Sequence, residues 1–254
     1  MAYLAYDRLG HGPAQVMVLH GWFSDQTMLM PMRGALDENA FSYICPSYRG
    51  YGGSRGLTGA YDMAEISSDV LALADHLGWS RFSLIGHSMG GMAVQRILAD
   101  APERVEKIIA LNAVPAAGVP MDENSEALFT GAVTNPDNRY GIIDFTTGNR
   151  LPKSWIRASV DYSLKTARED AFAAYLKAWT KTDFHTAIIG NPVPMKVIIG
   201  AHDPALNEEI MRSSFLQWYP HATLEIMPNA GHYPMNETPL ALAASIEAFL
   251  QQKS

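Results

Sequence analysis

Along most of this chain, short runs of apolar residues rich in β-branched and aromatic types alternate with stretches in which apolar positions recur at helical spacing. The runs at residues 3–8, 15–20, 41–46, 82–85, 107–111, 195–200 and 223–227 read as strands. Between them, Ile66, Val70, Leu73 and Leu77 repeat every three to four residues and stop at Gly78. Leu240, Ala243, Ala244, Ile246 and Leu250 form a last amphipathic helix behind Pro239. Strand and helix in alternation predict a mostly parallel sheet covered by helices on both faces.

The alternation stops after Val114. Residues 115–189 contain helical pieces but no convincing parallel strand, and Pro192-Val193-Pro194 then introduces the next one. This predicts a core domain made of residues 1–114 and 190–254, with a helical cap inserted over 115–189. Open α/β sheets bind ligands at their carboxyl edge, so the cap is expected there. Within it, Phe172, Tyr175 and Trp179 recur at helical spacing, as in a helix packing its own core.

Composition narrows the function classes. With 254 residues, 48% of them hydrophobic and 18% charged, the chain can bury a large core in one domain with an insertion. A net charge of -7 with no Lys or Arg run disfavours nucleic acid and anionic membranes as partners. Cys45 is the one cysteine, so an internal disulfide and a cysteine-based metal site are excluded and a packed core thiol is expected. No stretch reaches the length of a membrane span, and the segment Met1 to Asp7 lacks a basic region, which predicts a cytoplasmic protein. No ligand spacing such as H-E-x-x-H occurs, so neither a metal nor another cofactor is expected. Monomer and homodimer both stay open.

The chemistry starts at Gly86-His87-Ser88-Met89-Gly90, which follows one strand run and opens a helical run. A serine on so sharp a turn presents its hydroxyl above the sheet, and side chains two residues either side would collide. A serine hydroxyl needs a base, and the base needs an acid that fixes its tautomer. Asp203 follows the strand at 195–200, so its carboxylate emerges at the same edge as Ser88. His232 lies between the last strand and the last helix. Of the eight histidines, His76 falls in a helix, His11 and His221 in connections, His185 in the cap and His202 beside the acid. Only His232 completes the order Ser, Asp, His. Backbone N–H groups of Met89, at the helix start, and of Trp22, in the loop His20-Gly21-Trp22-Phe23, are the candidate oxyanion donors. Phe23, His87, Trp179 and Tyr233 are the candidates for touching substrate. The loop Gly50, Gly52 and Gly53 lacks the dinucleotide spacing and is expected to shape the pocket floor. Met28, Met30, Met32, Met89 and Met92 suit core filling, with an adaptable pocket as the sharper alternative.

His20-Gly21-Trp22, Arg49-Gly50-Tyr51-Gly52-Gly53-Ser54, Gly86-His87-Ser88-Met89-Gly90-Gly91, Gly200-Ala201-His202-Asp203 and Gly231-His232-Tyr233-Pro234 occur in the order of known landmarks. On these the chain resembles α/β-hydrolases of the capped serine esterase and lipase group. The resemblance implies an α/β-hydrolase fold with a mostly parallel sheet of about eight strands, and a carboxylesterase-like activity on a small-molecule ester or lactone. The His20-Gly21-Trp22 loop is similar to that of bacterial pimeloyl-carrier-protein methyl esterases, which carry tryptophan where this chain has His87. Haloalkane dehalogenases and epoxide hydrolases have an aspartate at the position of Ser88. The same triad can also run C–C bond hydrolysis, perhydrolysis or cofactor-free lyase chemistry, and a slow-turnover ligand receptor is a further reading.

Overall fold

Seven strands form one sheet in the computed structural model, which describes residues 3–252. They are β1 (Tyr6–Leu9), β2 (Ala14–Leu19), β3 (Phe41–Pro46), β4 (Phe82–His87), β5 (Val105–Leu111), β6 (Met195–Gly200) and β7 (Ala222–Met227). Their order is β1-β3-β2-β4-β5-β6-β7, with β1 antiparallel to β3 and the other pairs parallel. The count is seven where about eight was expected, and the first strand begins at Tyr6 and not at Tyr3. Part of the N-terminal segment, Met1 and Ala2, lies outside the described residues.

The helices are α1 (Met63–His76), α2 (Met89–Asp100), α3 (Glu123–Gly131), α4 (Pro136–Thr146), α5 (Lys153–Thr166), α6 (Glu169–Lys181), α7 (Glu208–Ser213), α8 (Phe215–Trp218), α9 (Pro234–Glu237) and α10 (Pro239–Leu250). Successive side chains of a strand point to opposite faces, and both faces here are covered. Met17, Leu19, Ile44, Leu84, Ile108 and Val197 pack into one cluster with α1 and α2, while Val16, Val18, Tyr43, Ile85, Ile109 and Ile198 pack into the other with α10. Cys45 is buried in the second cluster, where burial raises its thiol pKa far above the usual range. The start of α1 is set by Asp62, whose carboxylate accepts from Glu65 N–H at 2.8 Å, and its end by Gly78 at φ 72°. No described helix is long and apolar enough to cross a membrane.

The register aligns the strand ends. Leu19 pairs with Gly86, His87 with Leu111, Leu111 with Ile198 and Gly200 with Met227, so the loops after β2, β4, β5, β6 and β7 leave at one rim. Strand order reverses at β2, whose neighbours are β3 on one side and β4 on the other, which opens a crevice at that rim.

Between β5 and β6 the chain forms α3 to α6 and no strand. This helical insertion is tied to the core at the loop after β3: Arg168 N–H donates to Gly50 O at 2.8 Å, and Tyr51 bridges Ala167. Gly50 has φ 81°, and a Cβ there would run into the Ala171 side chain of α6. The glycine loop thus docks the insertion and lines neither of the cavities described below, where a pocket floor was expected. Of the four inserted helices, α3 alone buries none of its side chains completely.

Sheet and helix pack tightly at β4 and α2, where a Cβ on Gly86 would lie inside the contact distance of Gly90 O and Gly91 Cα. Gly86→Ala is expected to destabilise the protein by about 1–3 kcal/mol. Urea unfolding should give a lower midpoint at unchanged slope; an unchanged midpoint would mean that the turn can open without cost.

Candidate active site

Ser88 sits between β4 and α2 with φ 55° and ψ −120°, a conformation that costs about 1–3 kcal/mol and persists only where its surroundings over-determine it. Here they do. Ser88 N–H donates to Leu111 O at 3.1 Å, and Ser88 O accepts from Gly91 N–H at 2.8 Å and Val114 N–H at 3.0 Å. A Cβ on Gly90 would overlap Leu19 O, so the residues two before and two after Ser88 are both glycines for want of space.

Asp203 and His232 meet across the β6 and β7 loops. His232 Nδ1–H donates to Asp203 Oδ2 at 2.7 Å, which leaves Nε2 as the acceptor nitrogen. The carboxylate also receives Asn112 Nδ2 on Oδ2 at 2.8 Å, and Ala205 and Leu206 N–H on Oδ1 at 2.9 and 3.2 Å. Burial works against its charge, but the His232 ring, its hydrogen bond and these donors hold the Asp203 carboxyl below the ordinary carboxylate range. His232 is steadied from two more sides: its N–H donates to Thr146 O of α4 at 3.1 Å, and its carbonyl accepts from His87 Nε2–H at 2.8 Å. Ser88 and His232 share the wall of one cavity, and no hydrogen bond yet joins them.

Two other histidines are buried here without a carboxylate. Burial lowers His20 to about 4, and burial with the neighbouring His232 charge lowers His87 to about 3, so both are neutral near pH 7. Tyr48 N–H donates to His20 Nε2 at 3.3 Å, which puts the ring proton on Nδ1, where it is given to Gly21 O at 2.8 Å. In a trans peptide the C=O and N–H point opposite ways, so anchoring Gly21 O sets the direction of Trp22 N–H. The flanking carbonyls are held too: Tyr48 Oη–H donates to His20 O and Tyr51 Oη–H to Trp22 O, each at 3.0 Å. The N–H groups of Trp22 and Met89 have no partner among the described residues. Gly21 is needed for room and not for a turn, since a Cβ there would stand 2.8 Å from His87 Nδ1 and 3.1 Å from Ser88 Cβ.

A cavity of about 350 Å³ has Ser88 and His232 in its wall. Trp22, Phe23, Phe129, Trp179, Leu206 and Tyr233 are among its other lining residues; Asp122 lines it as well, and no Lys or Arg does. Of the three aromatics on α6, only Trp179 reaches this cavity; Phe172 and Tyr175 are fully buried against the core. His87, expected at the substrate, lines instead a second cavity of about 320 Å³, with Met28, Met30 and Trp155. Phe23 and Tyr233 belong to both walls and partition the two. Met32, Met89 and Met92 are plain core. Among the described residues no group of three or more His, Cys, Asp or Glu could hold a metal.

Asn112, in the loop after β5, is a further residue of the site that the order Ser, Asp, His does not single out. Its φ of 39° on a non-glycine residue is the local mark of its special place. The Asp203 pKa is lower in the folded than in the unfolded chain, so its contribution to stability is complete above about pH 4 and is lost as pH falls through the folded value. Asn112→Gly is therefore expected to cost about 1.5–3 kcal/mol at pH 7 and less at pH 3, by urea unfolding. Equal losses at both pH values would mean that Asn112 does not act on the charge.

Known proteins share this arrangement of sheet and rim. The 3-oxoadipate enol-lactonase 2 of Acinetobacter baylyi is 24% identical over 256 residues, covering 98% of this chain and 93% of that one. Among solved structures, the esterase of Exiguobacterium antarcticum superposes with a TM-score of 0.86 at 20% identity, covering 98% of this chain and 96% of that one. The enol-lactonase of Burkholderia xenovorans LB400 gives 0.83 at 25% identity, covering 98% and 96%. Residues 15–239 match the family described as the alpha/beta hydrolase fold, and the chain belongs to that family.

Proposed function

We propose that the protein is a serine hydrolase that cleaves carboxylic esters of small to medium, mainly uncharged substrates through an acyl-enzyme on Ser88. The observation that carries this reading is the Asp203-His232 pair at 2.7 Å, whose histidine shares a cavity wall with Ser88 and Trp22, together with the Trp22 and Met89 N–H groups that have no partner among the described residues. His232 Nε2 takes the proton of Ser88 Oγ as that oxygen bonds to the substrate carbonyl carbon. The carbonyl oxygen becomes negative between Trp22 and Met89 N–H, each donor worth roughly 2.7–4 kcal/mol to such a transition state. Collapse breaks the bond to the alcohol oxygen, which leaves with the proton from His232. Water then gives a proton to His232 Nε2 and its oxygen to the acyl carbon; that proton returns to Ser88 Oγ as the acid departs.

The wall of the Ser88 cavity supports an uncharged substrate, because it is mostly apolar and has no cation to neutralise a carboxylate. A lactone is the second reading. It is favoured by the similarity to enol-lactonases over nearly the whole chain, and the same steps would open the ring without release of a separate alcohol.

Ser88→Ala should fold like the parent and lose about four to six orders of magnitude in kcat on a p-nitrophenyl ester. Retained turnover would overturn the assignment. Asp203→Asn should lose about 10⁴ in kcat with the fold intact. Parallel rates on aryl esters of graded acyl length and on five- and six-membered lactones would separate the two readings: a higher kcat/KM for lactones at equal carbon number favours the second.

A further inference from the structure

Trp22 is tied to the helical insertion as firmly as to the sheet. Its Nε1–H donates to Phe172 O of α6 at 2.8 Å, and its ring lies on the Phe172 ring with centroids 3.9 Å and planes 14° apart. The Arg139 guanidinium of α4 stands over the same Phe172 ring, 3.9 Å from its centroid. Two groups so close cannot share one face of a phenyl ring, so Phe172 is sandwiched between the cation and the indole.

Arg139 is 2% exposed and has no carboxylate partner among the described residues. Its nitrogens are occupied by Ala132 O at 2.7 Å, Val133 O at 3.2 Å and Ser163 Oγ at 2.9 Å. Glu169 of α6 acts on it only through space, and an arginine buried with no carboxylate in contact is a costly choice for packing alone. A planar, weakly hydrated cation is, however, well suited to fix the plane of an aromatic ring while bonding carbonyls at its edge. Through those bonds Arg139 gathers the end of α3, α4 and α5 onto the ring of α6.

We propose that Phe172 and Arg139 are positioning residues for the Trp22 oxyanion donor. The column of Arg139, Phe172 and Trp22 sets the plane of the indole, while Tyr51 holds Trp22 O and His20 holds Gly21 O. With its side chain and both flanking carbonyls held, Trp22 N–H has one direction. The insertion is then part of the oxyanion site and not merely a cover over it, and its displacement releases the donor. The inference rests on the hydrolase reading above.

Phe172 lines neither cavity, so substituting it removes no contact with substrate. Phe172→Leu keeps the carbonyl that Trp22 Nε1–H uses and removes the ring. On p-nitrophenyl acetate its kcat should fall about tenfold with KM within twofold of the parent. Affinity for phenylboronic acid, which adds Ser88 Oγ and places an oxygen at the donors, should fall by a similar factor. Phe172→Tyr, which restores the ring, should recover most of both. A folded Phe172→Leu with parental kcat and boronate affinity would overturn the inference alone; a parent that neither hydrolyses the ester nor binds the boronate would overturn the hydrolase reading and the inference together. If Phe172→Leu fails to fold, Arg139→Lys, which keeps the charge but not the planar fork, is judged by the same two readouts.

Discussion

The rim of this sheet is organised around one strained residue. The backbone at Ser88 lies where side-chain-bearing residues are seldom found, and it is kept there by three backbone hydrogen bonds to the ends of neighbouring elements. Each of those bonds has a further effect. The bond to Leu111 O locks the turn to β5, and the one from Val114 fixes where the chain departs for the helical insertion. The glycines at 86 and 90 let α2 start against β2 and β4, so that Met89 N–H points out of the helix end with nothing to bond. The strain at one residue is thus balanced by the close packing of the sheet edge, and the same packing presents the unpartnered donor.

Charge at the site is sparse and deliberate. Three imidazoles, of His20, His87 and His232, are gathered around the turn at Ser88 and the loop after β2, and of these only His232 has a carboxylate at its Nδ1. Burial keeps His20 and His87 neutral, and each uses its single ring proton on a backbone carbonyl: Gly21 O for His20, His232 O for His87. Neutral rings can orient peptides without competing for the proton that the chemistry moves. The second cavity beyond Phe23 and Tyr233 reaches His87 and leaves the first as the one that Ser88 faces.

Much of this could be read from the chain because the relevant relations are local or ordinal. Glycines two residues either side of Ser88 report a steric limit of the turn itself, and acid and base follow strands whose apolar runs are plain. Other relations are set by packing across long sequence separations and leave no local pattern. Asn112 reaches Asp203 across 91 positions and Trp22 reaches Phe172 O across 150. The loop at Gly50 to Gly53 was readable as structural but not as the dock for α6, since that depends on where Ala171 falls. His87 is a related case: it is the last residue of β4 and faces the second cavity, while Ser88 has already left the strand, so adjacency in sequence does not bring the two side chains to one cavity.

The helix α3 is held less firmly than the rest of the insertion, and it borders the cavity. It contributes Ser125 and Phe129 to the wall around Ser88, yet none of its side chains is completely buried, whereas α6 is stitched to the core through Phe172, Arg168 and Ala167. A wall yields first where least apolar surface must be uncovered. On the hydrolase reading proposed above, opening the wall at α3 would admit a ligand without disturbing the Trp22 side, so that exchange with solvent and the chemical step would be set by separate parts of the same insertion.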